Sequence, residues 1–207
     1  MQLYYAPGTI SIAVAITLEE VGHDYEPIRV DFKNAEQTKP AYLAVNPKGR
    51  VPTLVTDGGT HLTETGAILD YIAALVPSAG LMPKDPLQAA QMRSVMYYLA
   101  STMHVNHAHK MRGHRWADEA SSFADMAGKV SQTMTESATY FAEHCLQGDY
   151  VLGETFSLAD PYAFTVCNWL EGDGVAMQDF PTITAYLARM RARPSVQAVI
   201  EKRMLPS

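Results

Sequence analysis

Residues 50–65, Arg50-Val51-Pro52-Thr53-Leu54-Val55-Thr56-Asp57-Gly58-Gly59-Thr60-His61-Leu62-Thr63-Glu64-Thr65, are the stretch on which the fold turns. Thr53 to Thr56 and Thr60 to Thr63 flank Asp57-Gly58-Gly59, a strong hairpin signal. Proline at the first residue of a strand is sterically ordinary, so Pro52 marks a strand boundary at the least. The sharper reading is a cis Val51–Pro52 bond, which turns the preceding N–H and C=O away from the sheet, toward an extended peptide. After Glu64 and Thr65 the spacing becomes helical through Ile68, Leu69, Ile72 and Leu75, and runs to Val76.

Upstream of this stretch, strand and helix patterns alternate. Leu3-Tyr4-Tyr5 reads as a short strand and Pro7-Gly8 as the turn after it. Ile10, Val14, Leu18 and Val21 follow a helical period, and Gly22 stands where a C-terminal cap belongs. Residues 27–32 alternate through Ile28, Val30 and Phe32 as a second strand, and Tyr42 to Val45 form a short helix before the Asn46-Pro47-Lys48-Gly49 turn. The order β-α-β-(α)-β-β-α predicts two parallel strands joined by a helix, with the hairpin adding antiparallel neighbours. That is a thioredoxin-like α/β domain with a mixed four-stranded sheet.

Downstream, breakers at 76–80 and 83–86 mark a linker, and no strand pattern follows. Helical segments are expected at 87–114, 118–146, 157–172, 179–192 and 194–203. Ser157 and Asp160 have capping-box spacing, and Pro161 falls within the first turn, where proline is tolerated. The expected division is therefore 1–80, a linker at 81–87, and an all-α domain over 88–207.

Composition narrows the function. Of 207 residues, 16 are Lys or Arg and 22 are Asp or Glu, a net charge of −6. Residues 1–80 hold five basic against nine acidic side chains and the remainder eleven against thirteen, so neither half is a surface for phosphate backbones. Nucleic acid is excluded as a partner. No apolar run approaches the roughly 20 residues of a membrane span, and Met1 to Tyr5 do not open a signal peptide, so the expected address is the cytoplasm. Cys145 and Cys167 lie far apart in no redox or metal spacing and are expected to be buried apolar residues.

Two local features suggest chemistry. Glu64 and Thr65 can serve the first turn of their helix as an acid and a cap; equally, Glu64 can bind an ammonium group while Thr65 and the free first-turn amides bind a carboxylate. Tyr5-Ala6-Pro7-Gly8-Thr9-Ile10-Ser11 is a hydroxyl-rich loop whose Ser and Thr can cap a helix or donate to a thiolate at its N-terminus. A third segment, His104 to Trp116, is rich in histidine, and His104 and His107 share a helix face. No acid or cysteine lies within it, and Lys110, Arg112 and Arg115 oppose a cation, so no metal is expected. A polar wall shaped also by Met103, Met111 and Trp116 fits better.

Leu3-Tyr4-Tyr5-x-Pro7-Gly8, Asn46-Pro47-Lys48-Gly49-x-Val51-Pro52-x-Leu54 and Thr63-Glu64-Thr65-x-Ala67-Ile68-x-x-Tyr71-Ile72 together resemble the motifs of glutathione transferases. Phe156-Ser157-Leu158-Ala159-Asp160 extends the resemblance into the second domain, and the bacterial beta class is the nearest likeness. The resemblance implies that Val51, beside cis-Pro52, pairs its backbone with the cysteinyl part of glutathione, and that Glu64 and Thr65 bind the γ-glutamyl end. Tyr5, Lys33 and Arg50 complete the expected glutathione site. His104 matches a beta-class histidine near the thiol; Met103, His107, Met111 and Trp116 are assigned to the second-substrate pocket. Ile10 stands where beta-class members usually carry cysteine, so mixed-disulfide chemistry through a protein thiol is not carried over.

Of the hydroxyls that could activate the thiol, Ser11 ranks first because it matches the one beside the beta-class cysteine. Thr9 ranks second, with His104 assisting and Tyr5 below the pocket. The expected activity is glutathione transfer to a hydrophobic electrophile, with glutathione as substrate and no cofactor; peroxide reduction, isomerisation or a non-catalytic binding role are the alternatives. The resemblance also implies a homodimer, for which Met92, Met96 and Tyr97 offer apolar surface.

Overall fold

The computed structural model describes residues 1–205, which form two compact units. The first comprises Met1–Met82 together with the segment from Arg191 onward; the second is Pro83–Met190. The C-terminal segment, however, joins the first unit rather than the helical domain expected over 88–207; Pro206 and Ser207, the end of that domain, lie outside the described residues.

In the first unit, β1 (Gln2–Tyr5) is followed by α1 (Ser11–Val21), β2 (Glu26–Arg29), α2 (Pro40–Leu43), β3 (Thr53–Val55), β4 (His61–Thr63) and α3 (Thr65–Leu75). The sheet order is β2-β1-β3-β4, with β1 and β2 parallel and the other pairs antiparallel, as the βαβ and hairpin patterns require. At the hairpin tip the Thr56 N–H donates to the Thr60 carbonyl at 2.9 Å, and Gly59 takes the left-handed φ of 79° that the turn demands.

The second strand is shorter than the alternation over 27–32 predicts. Asp31 accepts from the Lys33 and Asn34 N–H groups at 3.0 and 3.3 Å, which winds Phe32–Asn34 into a 3₁₀ turn and takes Phe32 out of the sheet. In α1 every residue from Ser11 to Leu18 is buried, so the helix is covered on several sides. It packs against α3 and α9 (Pro194–Glu201), whose Val196 and Val199 are fully buried.

In the second unit, α4 (Pro86–Tyr98) opens on Asp85, which accepts from the Gln88 N–H at 2.8 Å, with Pro86 in the first turn. A π-helical stretch, Leu99–Met103, joins it to α5 (His104–Ala108), so the expected helix ends near 108 rather than 114. Then α6 (Ala120–Tyr140) runs on into a second π stretch, Phe141–Cys145. α7 (Ala159–Cys167) is buried at every residue and packs on α4; α8 is Pro181–Arg191.

Candidate active site

The β1–α1 loop brings its two hydroxyls together. The Thr9 and Ser11 Oγ atoms are 2.6 Å apart, the Thr9 hydroxyl donates to the Ala6 carbonyl at 2.8 Å, and the Ala6 N–H donates to Ser11 Oγ at 3.3 Å. Ser11 is fully buried in the first turn of α1, whereas Thr9 is half-buried and reaches the surface. Tyr5 ends β1 as a buried core residue whose carbonyl accepts from the Val30 N–H at 2.8 Å.

The loop from residue 46 to 53 is built from within. Buried Asn46 donates through Nδ2 to the Arg50 carbonyl at 2.7 Å and to Thr53 Oγ1 at 3.1 Å, and its Oδ1 accepts from the Lys48 N–H at 3.1 Å. The Tyr42 hydroxyl also donates to the Arg50 carbonyl at 2.7 Å. Gly49 is obligatory here: its φ is 60°, and a Cβ would stand 3.0 Å from the Gln37 carbonyl oxygen. This scaffold carries Val51 and Pro52, joined by a cis bond, into β3.

Glu64 precedes α3 with φ 71° and ψ 116°, a conformation that non-glycine residues rarely take, and its carbonyl accepts from the Ile68 N–H at 3.0 Å. Its side chain is 71% exposed and forms an ion pair with Lys48. Thr65 is buried as the first helical residue. Below it the amides of Thr65, Gly66 and Ala67 belong to the first turn, where helix geometry supplies no acceptor. Lys33 lies exposed in the 3₁₀ turn, and Arg50 is exposed with its carbonyl held by the scaffold. Sequence reasoning missed the cation that meets Glu64, Lys48, and the scaffold residues Asn46 and Tyr42. Asn46 and Lys48 stood in a quoted motif, but nothing local signals a contact spanning sixteen residues.

Of the second-unit assignments, that of Met103 needs correction. Met103 ends the π stretch and is fully buried, so it belongs to the core rather than to a pocket wall. His107 is held in place: its Nδ1 lies 2.7 Å from an oxygen of buried Asp173, and its ring stacks on Trp169 at 4.2 Å. Lys110 joins the same carboxylate at 3.4 Å. The His104 ring also lies against Trp169, with centroids 5.0 Å apart. Met111 and Trp116 are exposed, and His109 meets the Trp116 ring edge-on at 4.6 Å. Among the described residues no group of three His, Cys, Asp or Glu is placed to hold a metal ion.

Both cysteines are buried; burial raises the Cys145 thiol to about 11 and pushes Cys167 higher still. Neither is an available thiolate. Asp160 is fully buried in the first turn of α7 and accepts from the N–H groups of Val151 and Ser157 at 2.9 and 2.7 Å and from the Ser157 hydroxyl at 3.0 Å. The expected capping box is thus half realised. The carboxylate reaches back as predicted, but the serine hydroxyl donates to it instead of accepting from the helix, and the Asp160 N–H goes to the Ser157 carbonyl at 3.1 Å. Burial raises the Asp160 carboxyl to about 6 against the pull of these donors.

A thioredoxin-like sheet, a scaffolded Val51–Pro52 and an exposed carboxylate at the start of α3 define a glutathione-binding class of fold. Residues 1–74 match the family model described as glutathione S-transferase, N-terminal domain, and residues 99–194 match that of the C-terminal domain. The chain belongs to the glutathione S-transferase family. It is 33% identical over 199 residues to glutathione S-transferase GstA of Escherichia coli O157:H7, covering 95% of this chain and 96% of that one. Among solved structures, a glutathione transferase homologue from Sulfitobacter with bound glutathione superposes with a TM-score of 0.98 at 62% identity, covering 99% and 98% of the two chains. The bacterial beta-class enzyme of Sphingomonas chungbukensis gives a TM-score of 0.83 at 31% identity, covering 98% of each. No described helix is long and apolar enough to cross a membrane.

Proposed function

We propose that this chain is a glutathione transferase that holds glutathione on its first unit, ionises the thiol and transfers it to a hydrophobic electrophile. The conformation of Glu64 carries the reading. A left-handed non-glycine backbone costs on the order of 1–3 kcal/mol and persists where it serves a site. Here it leaves a carboxylate exposed beside the unpartnered amides of a helix start, a match for the ammonium and carboxylate of a γ-glutamyl head. Lys48 is the counter-charge that this head meets at Glu64. Thr65 adds a hydroxyl to the carboxylate side, Val51 offers its backbone to the cysteinyl part, and Lys33 and Arg50 are the basic groups assigned to the rest of the tripeptide.

For the thiol, Thr9 replaces Ser11 as the preferred donor. Ser11 is sealed in the core, so it acts through Thr9: the Ala6 N–H supports Ser11 Oγ, Ser11 donates to Thr9, and Thr9 turns its proton from the Ala6 carbonyl to the sulfur. A free thiol titrates near 8.5, and lowering this by about two units needs about 2.7 kcal/mol. A charged hydrogen bond of about 1.5–3 kcal/mol with about 0.3–1 kcal/mol from the start of α1 supplies it. His104 keeps the assisting part that the family resemblance gives it.

The protein is read as a cytoplasmic homodimer acting in detoxification. Met92 and Met96 are buried within the protomer, so of the three residues expected at a dimer contact Tyr97, 68% exposed, is the one that α4 presents. Retention on immobilised glutathione, then a screen of aryl halides, epoxides and peroxides, tests the function. Conjugation with at least one electrophile is expected. Failure to bind glutathione, or peroxide reduction without conjugation, contradicts the transferase reading.

A further inference from the structure

The C-terminal segment reaches the loop that carries Thr9. After α9, Arg203 takes φ 56° and donates its N–H to the Ile200 carbonyl at 2.8 Å, while the Met204 N–H donates to the Val199 carbonyl at 3.1 Å. These are the two bonds of a Schellman turn, with arginine at the left-handed position where glycine is usual. The turn reverses the chain so that the Met204 carbonyl accepts from the Gly8 N–H at 3.0 Å. Met204 is fully buried, and the Tyr25 hydroxyl contacts its sulfur at 3.7 Å. Behind the turn, α9 is tied to α1 by ion pairs of Arg193 with Glu20 and of Lys202 with Glu19.

Gly8 adjoins Thr9, and its own φ is 70°. The loop therefore has one backbone anchor at Ala6, through Ser11, and a second at Gly8, through Met204. We propose that the turn at residues 202–204 is a positioning element for the thiol-activating loop, holding Gly8 so that the Thr9 hydroxyl is aimed at the sulfur of glutathione. This rests on the reading of Thr9 given above. Sequence separation hides the link, since Gly8 and Met204 are 196 positions apart in the chain but 3.0 Å separates donor from acceptor.

Arg203→Pro and Arg203→Gly separate the turn from the charge. Both remove the guanidinium; glycine keeps the left-handed conformation, whereas proline fixes φ near −65° and lacks the N–H. Arg203→Pro should expose the Gly8 amide to hydrogen exchange, raise the pKa of bound glutathione by about one unit and lower turnover up to about tenfold at neutral pH. Arg203→Gly should leave all three unchanged. If Arg203→Pro fails to fold, Arg203→Val, whose β-branch disfavours positive φ, should give the same changes in smaller measure. A lower melting temperature with an unaltered bound-thiol pKa and turnover would make the turn purely structural and overturn the proposal. Should Thr9→Val leave the thiol unaffected, the donor assignment falls; Gly8 exchange and turnover in Arg203→Pro still decide whether the turn positions the loop.

Discussion

Glu64 and Asp160 are both acids beside a hydroxyl residue at the start of a helix, yet they have opposite environments. Glu64 is 71% exposed, at positive φ, and paired with one exposed lysine. Asp160 is fully buried, with two backbone amides and the Ser157 hydroxyl directed at its oxygens, while the Tyr186 hydroxyl donates to its carbonyl at 3.0 Å. One carboxylate keeps its capacity for a ligand and the other spends it on the fold. Residue type and spacing do not separate these uses; exposure and satisfied lone pairs do.

The largest expected effect lies at Asp160. Its replacement by alanine orphans two buried N–H groups, each costing about 1–3 kcal/mol, so urea unfolding should report a loss of about 2–6 kcal/mol. A loss below 1 kcal/mol would show that Asp160 is not the structural member of the pair. Next comes Glu64→Ala, which should weaken glutathione binding by about 1.5–3 kcal/mol, roughly 10- to 150-fold, and leave the melting temperature unchanged or higher. Unaltered affinity with a lower melting temperature would place Glu64 in the same structural category as Asp160.

A smaller effect sharpens the contrast through pH. The Asp160 carboxyl titrates near 3.8 when unfolded and at about 6 when folded, because burial disfavours its charge. The folded state thus holds the proton longer. The stabilisation this gives is complete below about pH 4 and is lost as pH rises through about 6. Unfolding free energy measured across this range should fall in the wild type, and Asp160→Asn should flatten that slope. An identical slope in both would remove Asp160 as its source.

Much of the first unit was legible because its signals are local. The Asp57-Gly58-Gly59 turn, the strand alternation and the helical period of α3 gave the element order and a mixed four-stranded sheet, while the pairing of β1 with β3 came only with the structure. The Val51–Pro52 bond and the burial of both cysteines also agree with the sequence reading. What escaped depends on partners distant in the chain. A helix was expected over 194–203, but helical spacing does not say what covers it, and α1 proved to be the neighbour of α9. Ser11 ranked first because it matches the hydroxyl beside the beta-class cysteine; α1 is buried from Ser11 to Leu18, so Thr9 is the hydroxyl that reaches the surface. Met103 was expected on a pocket wall, but the π stretch breaks the 3.6-residue register and turns it into the core. The pairing of His107 with Asp173 spans 66 residues and has no local trace.

The central claim is that the β1–α1 loop ionises bound glutathione through Thr9. Titrating the ultraviolet thiolate absorbance of glutathione bound to the wild type, Thr9→Val and Ser11→Ala tests it most directly. The wild type should titrate about two units below the free value of about 8.5, Thr9→Val close to the free value, and Ser11→Ala in between. Bound glutathione that titrates in the wild type as it does in water, or a Thr9→Val protein indistinguishable from wild type, would contradict the account.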